Sequence, residues 1–263
     1  MSGQGVFDGR IARSFEAGVN DVAGLKAIFF DIDDTLYSTS EFAEMARENS
    51  IDAMLRAGVN LPKEALLKEL DEVIAEFSSN YPAHFDKLLL RIPPESYKGI
   101  NPAIVVASAV VAYHDTKFRQ LRPYEDAVEA LKLIHAKTDL ILGVITTGLT
   151  VKQAEKLVRL NLLEYIRSDA IFISDQIGVS KPNVKLFLRA LIDLHLKPNE
   201  AIYIGDNPVN DIDPANTIGM VTVRNRRTGK YTGLEGKTRP NYEIHNFYDL
   251  LDILAKDFGI KVR

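Results

Sequence analysis

Five short runs of apolar residues, separated by polar segments, predict the strands of a buried sheet. They cover residues 25–30, 140–145, 170–173, 201–204 and 220–223. Uninterrupted apolar runs are typical of parallel strands that are covered on both faces. Helical patterns lie between and after the later runs, at residues 124–136, 151–160, 183–195, 210–218 and 247–258. This alternation predicts an α/β fold with a Rossmann-like, doubly wound parallel sheet.

Residues 38–121 interrupt the alternation, because they contain helical patterns and no convincing strand. The patterns cover residues 41–56, 63–77, 85–91 and 102–118. An insertion of this length is too long for a single crossover, so we expect an inserted α-helical cap domain. The expected division is an N-terminal extension (1–25), an α/β core (26–37 and 122–263) and the cap (38–121). The alternative is that these helices thicken a layer of the core.

Three local patterns carry expectations of their own. Thr150 followed by Gln153 predicts a capping box at the start of a helix. The basic stretch at 224–230 predicts a solvated loop. An apolar stripe within the expected cap is interpreted as part of the hydrophobic core of the cap. The alternative is that the stripe forms a dimer contact. The stripe consists of Ile104, Val105, Ala109 and Val111.

Composition narrows the possible functions. The 263 residues include no cysteine, which excludes disulfides, thiolate metal sites and cysteine nucleophiles. A net charge of −4 argues against a nucleic-acid partner. The longest apolar stretch, at 102–113, is too short to span a bilayer, and the first 25 residues lack a secretory signal pattern. We therefore expect a cytoplasmic protein without a membrane partner, either a monomer or a homodimer.

Polar groups follow four of the predicted strands, at the point where each strand ends. In a parallel sheet these ends meet at one edge, which is where open α/β sheets bind their ligands. In chain order, the groups contain Asp31 and Asp33, then Thr146, Thr147 and Gly148, then Lys181, and finally Asp206, Asn207 and Asp211. The sequence therefore predicts a single site at the carboxyl edge of the sheet.

The residue types in this group indicate phosphoryl chemistry. Four carboxylates in one place repel one another in a low dielectric, and a hard divalent cation such as Mg²⁺ removes that repulsion. A lysine and a hydroxyl beside such a cation suit the oxygens of a phosphoryl group. Of two carboxylates spaced two residues apart, one can attack phosphorus and the other can serve as general acid and base.

The motifs around these residues resemble those of the haloacid dehalogenase superfamily of phosphohydrolases. Four of them match in order, at residues 31–35, 144–148, 180–182 and 205–211, and the resemblance extends from residue 27 to about residue 258. The helical insertion directly after the first motif looks like the C1-type cap of this family. Residues 80–87 and 113–118 are similar to a cap found in archaeal phosphatases of the group.

The resemblance implies a role for each matching residue. Asp31 is expected to be the nucleophile, and Asp33 the general acid and base whose backbone carbonyl also binds Mg²⁺. Thr146 and Lys181 are expected to hold the phosphoryl oxygens. Asp31 and Asp206 are expected to bind Mg²⁺ directly, and Asp211 to act indirectly or through water. The expected substrate contacts are Thr147, Gly148 and Asn207. Relatives often carry Asn or Asp where this chain has Thr147, a difference that concerns substrate contact.

These expectations point to a Mg²⁺-dependent phosphatase that acts on a small phosphorylated metabolite through an aspartyl-phosphate. Dehalogenases of the superfamily lack a carboxylate at the position of Asp33, because a departing halide needs no proton. Asp33 therefore favours an ester with a C–O–P linkage. A phosphomutase on the same scaffold and a non-catalytic binding or regulatory protein are the alternatives.

Overall fold

The computed structural model describes residues 24–227 and 231–263, and in this part of the chain it contains a six-stranded sheet. All neighbouring strands are parallel, in the order β3-β2-β1-β4-β5-β6. The strands are β1 (Ala27–Phe30), β2 (Ile141–Thr146), β3 (Ile171–Ile173), β4 (Ala201–Gly205), β5 (Val221–Asn225) and β6 (Tyr242–Ile244). The predicted parallel α/β fold is confirmed.

The helices fall into one group before β2 and another that alternates with the strands. They are α1 (Thr39–Arg56), α2 (Lys63–Phe77), α3 (His84–Arg91), α4 (Pro102–Gln120), α5 (Glu125–Lys137), α6 (Thr150–Arg159), α7 (Ser174–Ile177), α8 (Val184–Asp193), α9 (Asp213–Thr217) and α10 (Phe247–Asp257). A π-helical turn, Pro208–Ile212, directly precedes α9. None of the helices in the described ranges combines the length and the apolar character needed to cross a bilayer.

The first strand lies at the centre of the sheet and is buried on both faces. Successive side chains of a strand point to opposite faces. Ile28 and Phe30 belong to an apolar cluster that includes residues of α5 and α10. Ala27 and Phe29 belong to a second cluster, which includes residues of α8. The unbroken apolar run of β1 is therefore needed to fill two cores.

Helices α1–α4 pack around a hydrophobic cluster of their own, and we call residues 38–121 the helical segment. Val105 and Ala109 lie in this cluster, as the apolar stripe of α4 predicts. Ile104 and Val111 are 58% and 59% exposed, so for these two residues the prediction of buried core is wrong. The stripe is wider than the contact area that α4 shares with its neighbours. The division into a core and a cap domain remains a prediction.

The two chain passages that connect the helical segment to the sheet run side by side. The amide of Tyr124 donates a hydrogen bond to the carbonyl of Leu36 over 2.9 Å. Leu36 is fully buried, and Tyr124 packs against the core cluster to which Leu36 belongs. The entry to the helical segment and the exit from it are therefore joined to each other.

The structure corrects further sequence expectations. It adds the short edge strand β6, whose three residues make no recognisable apolar run. The capping box is wrong, because α6 begins at Thr150 with Leu149 as its N-cap, and Thr150 bonds Asp175 instead.

The basic stretch is also less solvated than expected. Arg224 is 1% exposed and donates to the carbonyls of Tyr231 and Leu234. Arg227 pairs with Asp126 on α5. Residues 228–230 of this stretch, and residues 1–23 of the expected N-terminal extension, lie outside the described residues.

Candidate active site

The loop after β1 brings Asp31 to the carboxyl edge of the sheet. The amide of Asp31 donates to the carbonyl of Ile204 on β4 over 2.8 Å, which continues the pairing of the two strands by one residue. Asp34 then adopts a positive φ of 53°. The amide of Leu36 donates to the carbonyl of Ile32 over 3.0 Å. This tight turn places two carboxylates, Asp31 and Asp33, directly beyond the central strand.

Lys181 lies between two of the buried carboxylates. Its Nζ is 2.9 Å from Oδ1 of Asp31 and 2.6 Å from Oδ1 of Asp211, and its side chain is 4% exposed. It also donates to the hydroxyl of Tyr203 over 3.1 Å. Burial lowers the pKa of Lys181, but the negative charges of Asp211 and Asp31 outweigh burial and leave its pKa raised. Lys181 is therefore held as an ammonium ion against Asp31.

The turn after β4 holds Asp211 in a fixed position. Oδ2 of Asp211 accepts the backbone amide of Asn207 over 3.0 Å. Oδ1 of Asn207 accepts the amides of Val209 and Asn210, so the Asn207 side chain caps the π-helical turn. The expected contact of Asn207 with substrate remains a prediction. A Cβ atom on Gly205 would lie 2.4 Å from Oδ2 of Asp211, so the carboxylate packs against a backbone that tolerates only glycine.

Substitution of Gly205 by alanine should therefore disturb the site as well as the fold. We expect Gly205→Ala to lower the free energy of unfolding by about 1–3 kcal/mol, the usual cost of overpacking. The activity expected from the sequence should fall as well, because Asp211 must move away from Lys181. Thermal unfolding and rate measurements check both effects. Gly233→Ala is the matched control, since no described residue lies within 4 Å of its added Cβ. Equal stability of the two variants would contradict this account of Gly205.

Three carboxylates form a cluster that suits a cation. One oxygen from each of Asp31, Asp206 and Asp211 lies within 4.8 Å of the others. Oδ2 of Asp206 is buried and has no hydrogen-bond partner among the described residues. Burial and the charge of Asp211 raise the pKa of Asp206 to about 8, and burial raises the pKa of Asp31 to about 6 despite Lys181. An all-oxygen donor set with unrelieved negative charge fits a hard divalent cation such as Mg²⁺.

The side chain of Asp33 points to a different set of partners. Its Oδ1 accepts from the hydroxyl of Tyr37 (2.6 Å), the hydroxyl of Thr39 (3.1 Å) and Nζ of Lys156 (2.6 Å). Its Oδ2 accepts from Lys156 (2.7 Å) and from Nε2 of Gln153 (3.3 Å). Burial raises the pKa of Asp33, but the charge of Lys156 and the hydrogen bonds bring it below its ordinary value. The expected role of its backbone carbonyl as a metal ligand remains a prediction.

The end of β2 contributes a hydroxyl and a loop of backbone. Oγ1 of Thr146 is buried and has no hydrogen-bond partner among the described residues, so it is available to a ligand. Thr147 is exposed and lies 3.4 Å from Oγ of Ser180. Gly148 has a φ of 150° and donates its amide to Oγ of Ser174 over 3.0 Å. The roles predicted for Thr146, Thr147 and Gly148 remain predictions, but all three lie at the predicted edge.

Sequence reasoning missed several polar residues of the site, among them Lys156, Gln153 and Tyr203. Lys156 and Gln153 lie three residues apart on α6, a spacing that places them on one face of the helix. Tyr203 is fully buried in β4, and its hydroxyl is within 3.1 Å of both Ile145 O and Asp211 Oδ1. The i, i+3 spacing on α6 is the signal that could have indicated the first two. A single tyrosine inside an apolar strand offers no such signal.

Two lysines, one on α6 and one on α4, connect the helical segment to α6. Lys152 on α6 donates to the backbone carbonyl of Asn80 over 2.9 Å. Lys117 on α4 pairs with Glu155 on α6. Burial and the neighbouring charges of Lys117 and Lys156 lower the pKa of Lys152. Positive charge is therefore concentrated where α6 meets the helical segment, beside Asp33.

Comparison with known proteins identifies what this arrangement resembles. Residues 25–219 match the haloacid dehalogenase-like hydrolase family. A glyceraldehyde 3-phosphate phosphatase of Methanopyrus kandleri is 48% identical over 242 residues, covering 89% of this chain and 100% of the relative. The protein with the same name from Pyrococcus furiosus is 42% identical over 237 residues, with coverages of 89% and 95%. A crystal structure of a HAD phosphatase from Thermococcus onnurineus shares the fold, with a TM-score of 0.62 at 24% identity over 88% of this chain and 98% of that one.

Proposed function

The chain belongs to the haloacid dehalogenase-like hydrolase family, and we propose that it is a Mg²⁺-dependent phosphatase whose first candidate substrate is glyceraldehyde 3-phosphate. The relatives named as phosphatases place it among the phosphoric monoester hydrolases. The proposal rests on the arrangement of three charged side chains at the carboxyl edge of the sheet. Asp31 faces an ammonium, and the buried carboxylate oxygen of Asp206 beside it has no partner in the described structure.

The cation site follows from the carboxylate cluster. Asp31 and Asp206 would hold Mg²⁺ directly, because both oxygens of Asp211 already accept hydrogen bonds, one from Lys181 and one from the Asn207 amide. When bound, Mg²⁺ supplies positive charge to the phosphoryl oxygens and neutralises the carboxylates. Asp211 would act by holding Lys181 in place. This agrees with its expected indirect role.

In the first half-reaction, a carboxylate oxygen of Asp31 attacks phosphorus and the ester oxygen departs. Lys181 and the hydroxyl of Thr146 stabilise the negative charge on the phosphoryl oxygens. Asp33 donates a proton to the departing alkoxide. The products are an aspartyl-phosphate on Asp31 and the free alcohol.

The second half-reaction restores the enzyme. Asp33, now ionised, removes a proton from a water molecule, and the resulting hydroxide attacks the phosphorus of the aspartyl-phosphate. The bond between phosphorus and Asp31 breaks, and inorganic phosphate leaves. The helical segment would act as the cap that excludes bulk water during the first step and admits water for the second.

Phosphate release from a panel of phosphorylated metabolites tests the proposal. We expect release from glyceraldehyde 3-phosphate in the presence of Mg²⁺ and none after a chelator removes the metal, with full recovery when Mg²⁺ is restored. Conversion of a sugar phosphate to an isomer without release of phosphate would favour a phosphomutase. The absence of both reactions would favour a binding protein.

Asp206→Asn supplies a control for the metal that does not depend on turnover. In the wild type, we expect Mg²⁺ to raise the unfolding temperature, because an ion that binds only the folded state stabilises it. In Asp206→Asn the shift should be lost, while the metal-free variant unfolds no earlier than the metal-free wild type. An equal Mg²⁺ shift in both proteins would contradict the assignment of Asp206.

A further inference from the structure

The hydrogen bonds to Asp33 leave no oxygen available for a substrate. A carboxylate has about four lone-pair sites for donors. Oδ1 of Asp33 has three donors and Oδ2 has two, counting Lys156 at both atoms. A general acid must lie within about 2.6–3.2 Å of the atom to which it gives its proton. One donor must therefore leave before Asp33 can serve the ester oxygen.

Lys156 is the donor that is free to leave. Tyr37 is 2% exposed and Gln153 is 4% exposed, and Gln153 is also held by the carbonyl of Thr147 over 2.8 Å. Thr39 is fixed at the start of α1, where its amide bonds Asp34 over 2.9 Å. Lys156 is a long side chain that is 19% exposed. Its ammonium can swing about a flexible stem while the other donors stay in place.

Among the described residues, no second carboxylate is ready to accept Lys156. Within the described ranges its only salt bridge is with Asp33. The nearest acidic residue on α6, Glu155, already pairs with Lys117 and with Arg159. Lys152, one turn away on α6, adds a second ammonium, whose hydrogen bond among the described residues is with the backbone carbonyl of Asn80. An ammonium that leaves Asp33 therefore needs an acceptor on the bound ligand.

We propose that Lys156, assisted by Lys152, binds the oxygen-bearing organic part of the substrate and in doing so releases Asp33 for proton transfer. The inference rests on the proposed function and names its substrate class. The substrate is a phosphate ester whose carbon skeleton carries hydroxyl, carbonyl or carboxylate oxygens close to the ester bond. Glyceraldehyde 3-phosphate has a hydroxyl and a carbonyl in these positions, whereas a simple alkyl phosphate has neither.

Three esters with three-carbon skeletons separate this role from a purely structural one. Glyceraldehyde 3-phosphate and glycerol 3-phosphate carry the oxygens, and propyl phosphate does not. In Lys156→Met we expect kcat/KM to fall about 10- to 100-fold for the first two, the value of one charged hydrogen bond. The rate with propyl phosphate should rise rather than fall, because this ester cannot draw Lys156 away from Asp33 in the wild type and the substitution removes the same hydrogen bonds. Lys156→Arg, which keeps the charge, should restore part of the preference, and Lys152→Met should show a smaller loss of the same kind.

The exposed Lys132 on α5 provides the control, and Lys132→Met should match wild type with all three esters. Equal losses with propyl phosphate and with glyceraldehyde 3-phosphate in Lys156→Met would overturn the proposal, because Lys156 would then act on Asp33 alone. Unchanged rates with all three esters would also overturn it.

Binding to an inactive protein separates this inference from the proposed function. In an Asp31→Asn background, calorimetry should show glycerol 3-phosphate binding more tightly than propyl phosphate, and the preference should disappear when Lys156→Met is added. Equal binding of the two esters in the Asp31→Asn background would overturn the inference even if the wild type is an active phosphatase. Failure of the wild type to release phosphate would overturn the proposed function alone.

Discussion

Replacement of Asp31 by asparagine should abolish phosphate release, with an expected fall in kcat of about 10⁴-fold or more. An amide has the shape of the carboxylate but cannot supply the anionic oxygen that attacks phosphorus. The fold should tolerate the change, because the substitution removes one of three clustered carboxylates and leaves the ion pair between Lys181 and Asp211 intact. Initial rates with glyceraldehyde 3-phosphate and Mg²⁺, together with thermal unfolding, measure the two effects separately.

The control for Asp31→Asn is the same chemical change at a residue far from the chemistry. Asp193, at the end of α8, pairs with Arg189 one helical turn away and is partly exposed. Asp193→Asn should keep the wild-type rate and change the unfolding free energy by less than about 0.5 kcal/mol. Near-normal turnover by Asp31→Asn would refute its assignment as the nucleophile, whatever the stability of the variant.

Replacement of Lys181 by methionine should damage stability and activity together. Methionine fills similar space but leaves Asp31 and Asp211 buried without their shared cation. Removal of one partner from a buried pair costs about 3–5 kcal/mol. For a chain of this size that corresponds to a fall of about 6–20 °C in unfolding temperature. We also expect kcat to fall by about 10²- to 10³-fold, the usual loss when one group that stabilises transition-state charge is removed.

The stability loss of Lys181→Met should depend on whether the metal is present, whereas the loss caused by a general packing defect should not. Measured in chelator, the variant lacks both cations near Asp31, so the loss should be largest there. Addition of Mg²⁺ should recover part of it, because the ion neutralises the same carboxylates. Lys132→Met, at an exposed position of α5, should unfold within about 2 °C of wild type under both conditions. If Lys181→Met lowers the unfolding temperature as little as Lys132→Met does, the proposed position of Lys181 between the buried carboxylates is contradicted.

The fold and the place of the site were predictable because both depend on local patterns. Buried parallel strands need unbroken apolar runs, and the polar residues that end them must meet at one edge of the sheet. Asp31, Asp206 and Asp211 could therefore be grouped from their positions after strands. The short strand β6 was not predictable, since its three residues depend on pairing with β5 for their conformation.

The partners of the site residues depend on side-chain directions that a linear pattern does not contain. Lys156 is separated from Asp33 by 123 residues, and its nearest neighbours in the chain only indicate a charged helix face. The role of Tyr203 was not predictable for a similar reason, since it lies in an apolar strand and the sequence does not show where its hydroxyl points. Gln153 was assigned to a helix cap because its spacing from Thr150 satisfies that pattern, yet its amide bonds the Thr147 carbonyl and Asp33. Local patterns and tertiary contacts compete for the same polar atoms, and here the tertiary contacts prevail.

The hydrogen bond between Leu36 and Tyr124 has a consequence for how this architecture can be altered. Because the chain leaves the sheet and returns to it at neighbouring peptides, a few residues suffice to bridge the gap if the helices between them are removed. The same junction can accept a helical segment of different length or composition without a change in strand order. Segments whose ends lie close together are the ones that tolerate exchange. The junction thus makes the helical segment replaceable, while the carboxylates proposed to carry out the chemistry stay on the sheet.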